Sequence, residues 1–327
     1  LSSIYYKPLP STPNLVPAAT ASAWMAENSP TQFGNFTISE DETSPNDGGD
    51  PFYDMVANAV PMIVSCSNTS WAADTCKGGA RNLNGATINV LPAGAPREGT
   101  TDKHIAGGTA TAIDNFWDAS TVPASGGTLK VGGGGECLKS GDGTGCSGAT
   151  ATDIALPLGL VQANELLGCM QSTNTSCVLP HAISVAFRCN ASSTVFVKPA
   201  TSSDGQCFNP KTGVNQSTTS GLPEGTRGAI NETDAQVNAL YPYNSFQAII
   251  YRTMDRQHYG FVNRDAAWSG GSGIQIQYQS GSEFKFEGKH DPWQDIATLS
   301  KMQWNGSAVQ FNMGWAPPLE FCGSSGC

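Results

Sequence analysis

Histidine is scarce in this chain, so each of its four copies, His104, His181, His258 and His290, is weighed as a proton-transfer group. His104 stands in Thr101-Asp-Lys-His104, and on a strand Asp102 and His104 share one face. Just downstream, Asp114-Asn-Phe-Trp-Asp118 sets two carboxylates around Trp117. A Trp beside acids is what a sugar-binding cleft uses: the ring covers the apolar face of a sugar, and the acids take hydroxyls or the glycosidic oxygen. A core Trp with surface acids fits the same residues equally well. His181 lies in Pro180-His-Ala-Ile-Ser-Val185, where an apolar strand begins, with Glu165 upstream in a helical stretch. Arg227 closes the turn-rich Leu222-Pro-Glu-Gly-Thr-Arg227, and Tyr259 and Gly260 follow His258 directly.

Other chemistries leave no trace. The run Gly132–Gly135 lacks the Lys-Ser/Thr of a phosphate loop and the spacing of a dinucleotide loop, so it reads as a turn and no cofactor is expected. Gly270-Gly-Ser-Gly273 does not have the spacing of a nucleophile elbow, and no H-E-x-x-H occurs. A metal held by His104, His181 and an acid is the least favoured reading, and no metal ligand is assigned. The composition admits two sugar chemistries. A glycoside hydrolase would draw its carboxylates from Asp102, Asp114, Asp118, Glu165 and Glu224. A polysaccharide lyase would use His104, His181 or Tyr259 to take a proton and Arg227 to neutralise a uronate.

The elements that must position these residues are short. Of 327 residues only 13% are charged, while Gly (37) and Pro (20) abound, which suits strands joined by turns better than a helical bundle. The spacing predicts strands at Val60–Ser65, Ala86–Val90, Gly127–Val131, Ile183–Arg188, Thr194–Lys198, Ile274–Tyr278, Glu283–Glu287 and Ala308–Met313. Helices are expected at Ala18–Glu27, Leu158–Met170 and Asn231–His258, the last broken or restarted by Pro242. A further helix begins at Asp291-Pro292, an N-cap followed by proline at the first helical position. The expected fold is mainly β: one antiparallel β-sandwich, jelly-roll-like, with a few short helices. Residues 1–50 form an extended arm of that single domain, wrapped on its surface.

Ten cysteines fall into neighbouring couples without any C-x-x-C, so five local disulfides are expected: Cys66–Cys76, Cys137–Cys146, Cys169–Cys177, Cys189–Cys207 and Cys322–Cys327. Seven N-x-S/T sequons occur, at Asn35, Asn68, Asn174, Asn190, Asn215, Asn231 and Asn305. Disulfides and sequons together point to a glycoprotein that has passed a eukaryotic secretory pathway and acts outside the cell. The first residues, Leu1-Ser-Ser-Ile-Tyr-Tyr6, fit a chain whose leader has been cleaved, a truncated chain being the alternative. No apolar run is long enough to span a membrane, and no Lys/Arg cluster offsets the net charge of −10, which disfavours nucleic acid as a partner. The expected partner is a polysaccharide or oligosaccharide. The expected function is an extracellular glycoside hydrolase, with a lyase or a non-catalytic glycan-binding or cell-wall glycoprotein as alternatives. Nothing in the sequence sets the oligomeric state.

One string of short motifs extends this reading. Leu156-Pro-Leu-Gly-Leu160, Asn164-Glu-Leu-Leu-Gly168, Pro180-His-Ala-Ile183, Val197-Lys-Pro-Ala200, Pro223-Glu-Gly-Thr-Arg227 and His258-Tyr-Gly-Phe-Val262 follow one another in order. In this the chain resembles a group of secreted bacterial β-rich proteins of unassigned activity, over about the last half of its length plus Asp102 and His104. The resemblance implies a shortlist of Asp102, His104, Glu165, His181, Arg227 and Tyr259. Where that group tends to carry an acid near the Trp117 position, this chain has Asn115.

Overall fold

The structure, a computed structural model, describes residues 4–27, 36–41, 49–50, 60–66, 87–90, 127–131 and most of 152–327; from 36 to 131 it describes strand backbones alone. In chain order the elements are α1 (Ala18–Glu27), β1 (Phe36–Asp41), β2 (Gly49–Asp50), β3 (Val60–Cys66), β4 (Thr87–Val90), β5 (Gly127–Val131), α2 (Ala163–Gln171), β6 (Ile183–Phe187) and β7 (Arg227–Ile230). There follow α3 (Asp234–Leu240), α4 (Phe246–Met254), β8 (Phe261–Ala266), β9 (Ile274–Ile276), β10 (Tyr278–Gln279), α5 (Pro292–Leu299), β11 (Ala308–Asn312) and β12 (Leu319–Phe321).

The main sheet has seven strands in the order β11-β1-β9-β6-β8-β7-β12. It is mixed: β6 pairs parallel with β8 and β1 parallel with β9, while the other neighbours run antiparallel. This corrects the expectation of a purely antiparallel sheet. A parallel neighbour needs a long crossover, and the chain between β6 and β8 supplies one through β7, α3 and α4. Every residue of β6 is buried, as a central strand covered on both faces requires.

Helices make the second layer on one face. Ile183, Val185 and Phe187 of β6, Phe261 of β8, Ile276 of β9 and Phe321 of β12 meet Leu166 and Met170 of α2, Ile249, Ile250 and Met254 of α4, and Trp293 and Ile296 of α5 in one apolar cluster. The opposite face is covered by the first residues of the chain. Tyr5 packs there with Ile154, Ala182 and Val262, flanked by Leu158 and Tyr259. The expected surface arm is therefore partly interior: Tyr5 and Leu9 are buried, and β1 is inserted between β9 and β11.

Local sequence accounts for the helix limits. Thr233 caps α3 in a reciprocal box with Gln236. Proline at 242 disfavours helix at the residue before it, and Tyr241 is extended, so the stretch expected as one long helix becomes α3 and α4. Ser245 then caps α4 by accepting the amide of Ala248, and Asp291 caps α5 by accepting that of Trp293. The run Thr194–Lys198 forms no ladder: Phe196 makes one isolated bridge, to Glu224, and remains exposed. Three disulfides, Cys169–Cys177, Cys189–Cys207 and Cys322–Cys327, close short loops with the expected pairing. Cys76, Cys137 and Cys146 and the side chain of Cys66 lie outside the described residues.

Candidate functional site

Glu165 and His181 come together because the first turn of α2 and the segment leading into β6 run side by side. Backbone anchors fix both. The amide of Ala163 donates to Gln279 Oε1 at 3.1 Å, the amide of Leu179 to Thr253 Oγ1 at 3.0 Å, and the amide of Ala182 to the Tyr5 carbonyl at 2.7 Å. His181 Nε2 then lies 3.0 Å from Glu165 Oε2, and Nδ1 lies 2.9 Å from the Ala182 carbonyl oxygen. Both ring nitrogens face acceptors, so a ring protonated on each donates to both. The imidazole is buried, while the Glu165 side chain keeps 31% of its surface exposed. Tyr6, half exposed, sets its ring edge-on to His181 with centroids 6.3 Å apart.

Arg227 and Tyr259 meet on the same side of the chain's first residues but not as free side chains. Arg227 Nη2 donates to the backbone carbonyls of Lys7 and Tyr259, the latter at 2.8 Å. Burial draws the Arg227 pKa down to about 10, opposed by Tyr5, so it stays cationic at neutral pH. Tyr259 packs against the cluster formed by Tyr5, Ile154, Ala182 and Val262. Tyr5 hydrogen-bonds Ser184 Oγ at 2.9 Å, and Ser184 gives its single proton to the Leu158 carbonyl at 2.8 Å, so the phenol is the donor. Burial pushes Tyr5 up to about 12, against the pull of Arg264, Ser184 and Arg227. The segment Tyr5–Lys7 thus lies between the Glu165–His181 pair and Arg227.

The other expected site residues divide in two. Asp102, His104, Asp114, Trp117 and Asp118 lie outside the described residues. Glu224 is sealed in a buried network: its Oε1 accepts from Asn190 Nδ2 at 2.9 Å, and Asn263 Nδ2 donates to Asn190 Oδ1 at 2.9 Å. This corrects two expectations. A carboxylate with no exposed surface cannot meet a polymer, and Asn190 cannot carry a glycan in this fold, because its Nδ2 is buried and donating. Asn174 and Asn231 are exposed, and Asn35, Asn68, Asn215 and Asn305 lie outside the described residues.

Sequence reading missed a second cluster. Asp234 in the first turn of α3, Asp255 just past α4 and His258 in the turn before β8 place one donor atom each within 4.8 Å of one another. His258 Nε2 is 3.2 Å from Asp234 Oδ1. Asp255 is fully buried; Oδ1 accepts the Gln257 amide at 2.7 Å, and Oδ2 has no hydrogen-bond partner. The spacing Asp255-x-x-His258 on a tight turn was the available signal.

Burial, then the adjoining Asp234 carboxyl, raise Asp255 from 3.8 to about 8, against the amides of Gln257 and His258. Arg252 is the nearby cation; it donates to Asn238 Oδ1 at 2.6 Å and to the carbonyls of Cys177 and Tyr243, both at 2.8 Å. A carboxyl raised on folding holds its proton better in the native state, so its stabilising contribution is complete below pH 3.8 and is lost as pH rises through about 8. Urea unfolding of cation-free protein across that window should show this decline, and Asp255→Asn should flatten it. An unchanged slope in the variant would assign the decline elsewhere.

Comparison with models of known protein families, with curated proteins and with solved structures finds no match. Among the described residues no helix is long and apolar enough to cross a membrane.

Proposed function

We propose that the chain is a secreted carbohydrate-active enzyme, a glycoside hydrolase acting on a polysaccharide, with Glu165 as one of its reacting carboxylates. The observation that carries this is the Glu165–His181 pair: a buried imidazole orients one carboxylate oxygen while the Glu165 side chain stays partly exposed. Glycosidic cleavage needs such a fixed carboxylate and a second acid across the bond, for which Asp102, Asp114 and Asp118 remain the candidates. The half-exposed ring of Tyr6 beside the pair offers a surface for a sugar face. Three disulfides support an oxidising, extracellular setting. The lyase alternative loses ground because Arg227, its charge neutraliser, is buried and bonded to two backbone carbonyls.

A polysaccharide degradation screen reading new reducing ends should find a substrate, and Glu165→Gln should lower turnover on it by roughly 10²–10⁴-fold with the unfolding midpoint retained. His181→Ala should lower turnover as well. Wild-type turnover in Glu165→Gln would remove Glu165 from the chemistry. Glycan binding without degradation would make the chain a binding protein, and unsaturated uronate products would make it a lyase.

A further inference from the structure

We propose that Asp234, Asp255 and His258 form a binding site for one divalent cation of the zinc class. Three observations converge. The donor set is one imidazole and two carboxylates, drawn from α3, the end of α4 and the turn before β8, with the donor atoms already gathered within 4.8 Å. The 3.2 Å between His258 Nε2 and Asp234 Oδ1 is close to the roughly 3.3 Å edge of a tetrahedron whose metal–ligand bonds are about 2.0 Å. Asp255 Oδ2 is fully buried with no donor on it, and the Asp234 carboxyl stands within hydrogen-bonding reach of the Asp255 carboxyl.

That last point demands a positive species. Two ionised carboxylates facing each other are two acceptors and repel, and a buried acceptor without a donor costs about 1–3 kcal/mol. A proton shared between the acids would answer the repulsion, yet it leaves His258 with no part in the cluster beyond its bond to Asp234. A cation satisfies both carboxylates and the imidazole together. Arg252, a cation that acts on both acids, is committed to Asn238, Cys177 and Tyr243 through its terminal nitrogens, so it neutralises them only at a distance.

The donors also select the cation. Imidazole with carboxylates suits Zn²⁺ better than Ca²⁺ or Mg²⁺, which take oxygen shells of six or more ligands. Three protein ligands leave a fourth position, and since the side chains of His258 and Asp234 are each 23% exposed, that position faces solvent and would take water. The site ties the start of α3 to the turn that precedes β8. It is distinct from the Glu165–His181 pair and does not depend on the role proposed for that pair.

The test uses the full chain stripped with a chelator and titrated with Zn²⁺ alone in isothermal calorimetry. One tight site is expected, with His258→Ala and Asp255→Asn each weakening it by more than about 100-fold, beyond the loss seen when only a residue behind a ligand is changed. His290→Ala, which alters the exposed His290–Asp295 pair, should leave that site unchanged. Should either ligand variant fail to fold, Co²⁺ added to the wild-type chain should give the visible absorption of a low-coordinate nitrogen–oxygen site, displaced by one equivalent of Zn²⁺. Absence of a stoichiometric site in the wild type, full retention of Zn²⁺ by the folded ligand variants, or an octahedral Co²⁺ spectrum would overturn the proposal; the first outcome would leave a proton shared between Asp234 and Asp255.

Discussion

Trp293→Ala is expected to cost about 3–5 kcal/mol of folding stability. Trp293 has no exposed surface; its ring meets Tyr278 edge-on at 5.6 Å and Phe311 at 5.5 Å, and it fills the space between α5 and the sheet. The indole Nε1 donates to the Gln279 carbonyl at 2.8 Å, and the side chain of that same Gln279 accepts the first amide of α2. Removing the ring therefore opens a cavity in the main cluster and loosens the strand that anchors the helix bearing Glu165. Trp293→Phe keeps most of the volume and loses the indole donor, so it should cost much less, about 1–2 kcal/mol. Urea unfolding of the two variants beside the wild type reads the difference. A Trp293→Ala midpoint within about 1 kcal/mol of wild type would mean that the cluster closes over the gap, contrary to a close-packed interior.

Helix α5 was legible because its signals are local: an N-cap aspartate, proline at the first helical position and an apolar face all lie between Asp291 and Leu299. The three described disulfides were legible for the same reason, since spacing alone pairs neighbours in short loops. Strand direction was not. The run Ile183–Phe187 announces a buried strand, but whether its neighbour runs parallel depends on where the chain returns after β7, α3 and α4, which no local pattern encodes. Thr194–Lys198 shows the limit from the other side: Val195 and Phe196 have strand propensity but stay exposed and unladdered, because what stabilises a strand is its partners. Glu165 and His181, 16 residues apart, are shortlisted by the motif resemblance, His181 also because it is a scarce residue where a strand begins. The Asp234–His258 contact spans 24 residues and forms only because α3 and α4 double back, a turn that Pro242 hints at without giving its geometry.

Tyr5→Ala should be nearly as damaging as Trp293→Ala, about 3–5 kcal/mol, although Tyr5 belongs to a stretch that composition marks as an arm. Its ring is 1% exposed and lies directly on Gly159, whose φ of +74° and lack of a side chain allow that approach. Its hydroxyl donates to Ser184, and its carbonyl takes the amide of Ala182, next to His181. Two residues on, the Lys7 carbonyl receives the buried Arg227 guanidinium. Loss of the ring removes the anchor of the whole segment, so Arg227 then loses its Lys7 partner, and that cost adds to the cost of the cavity. Tyr5→Phe retains the anchor and drops the Ser184 bond, for about 1 kcal/mol. Unfolding measurements order the variants, and limited chymotryptic cleavage after Tyr6 reports the segment itself, the Lys7–Pro8 bond being resistant to trypsin: cleavage should be slow in wild type and Tyr5→Phe and fast in Tyr5→Ala. Equally fast cleavage in all three would show that the first residues leave the sheet readily, and equally slow cleavage that Tyr5 is not what holds Tyr6 beside His181.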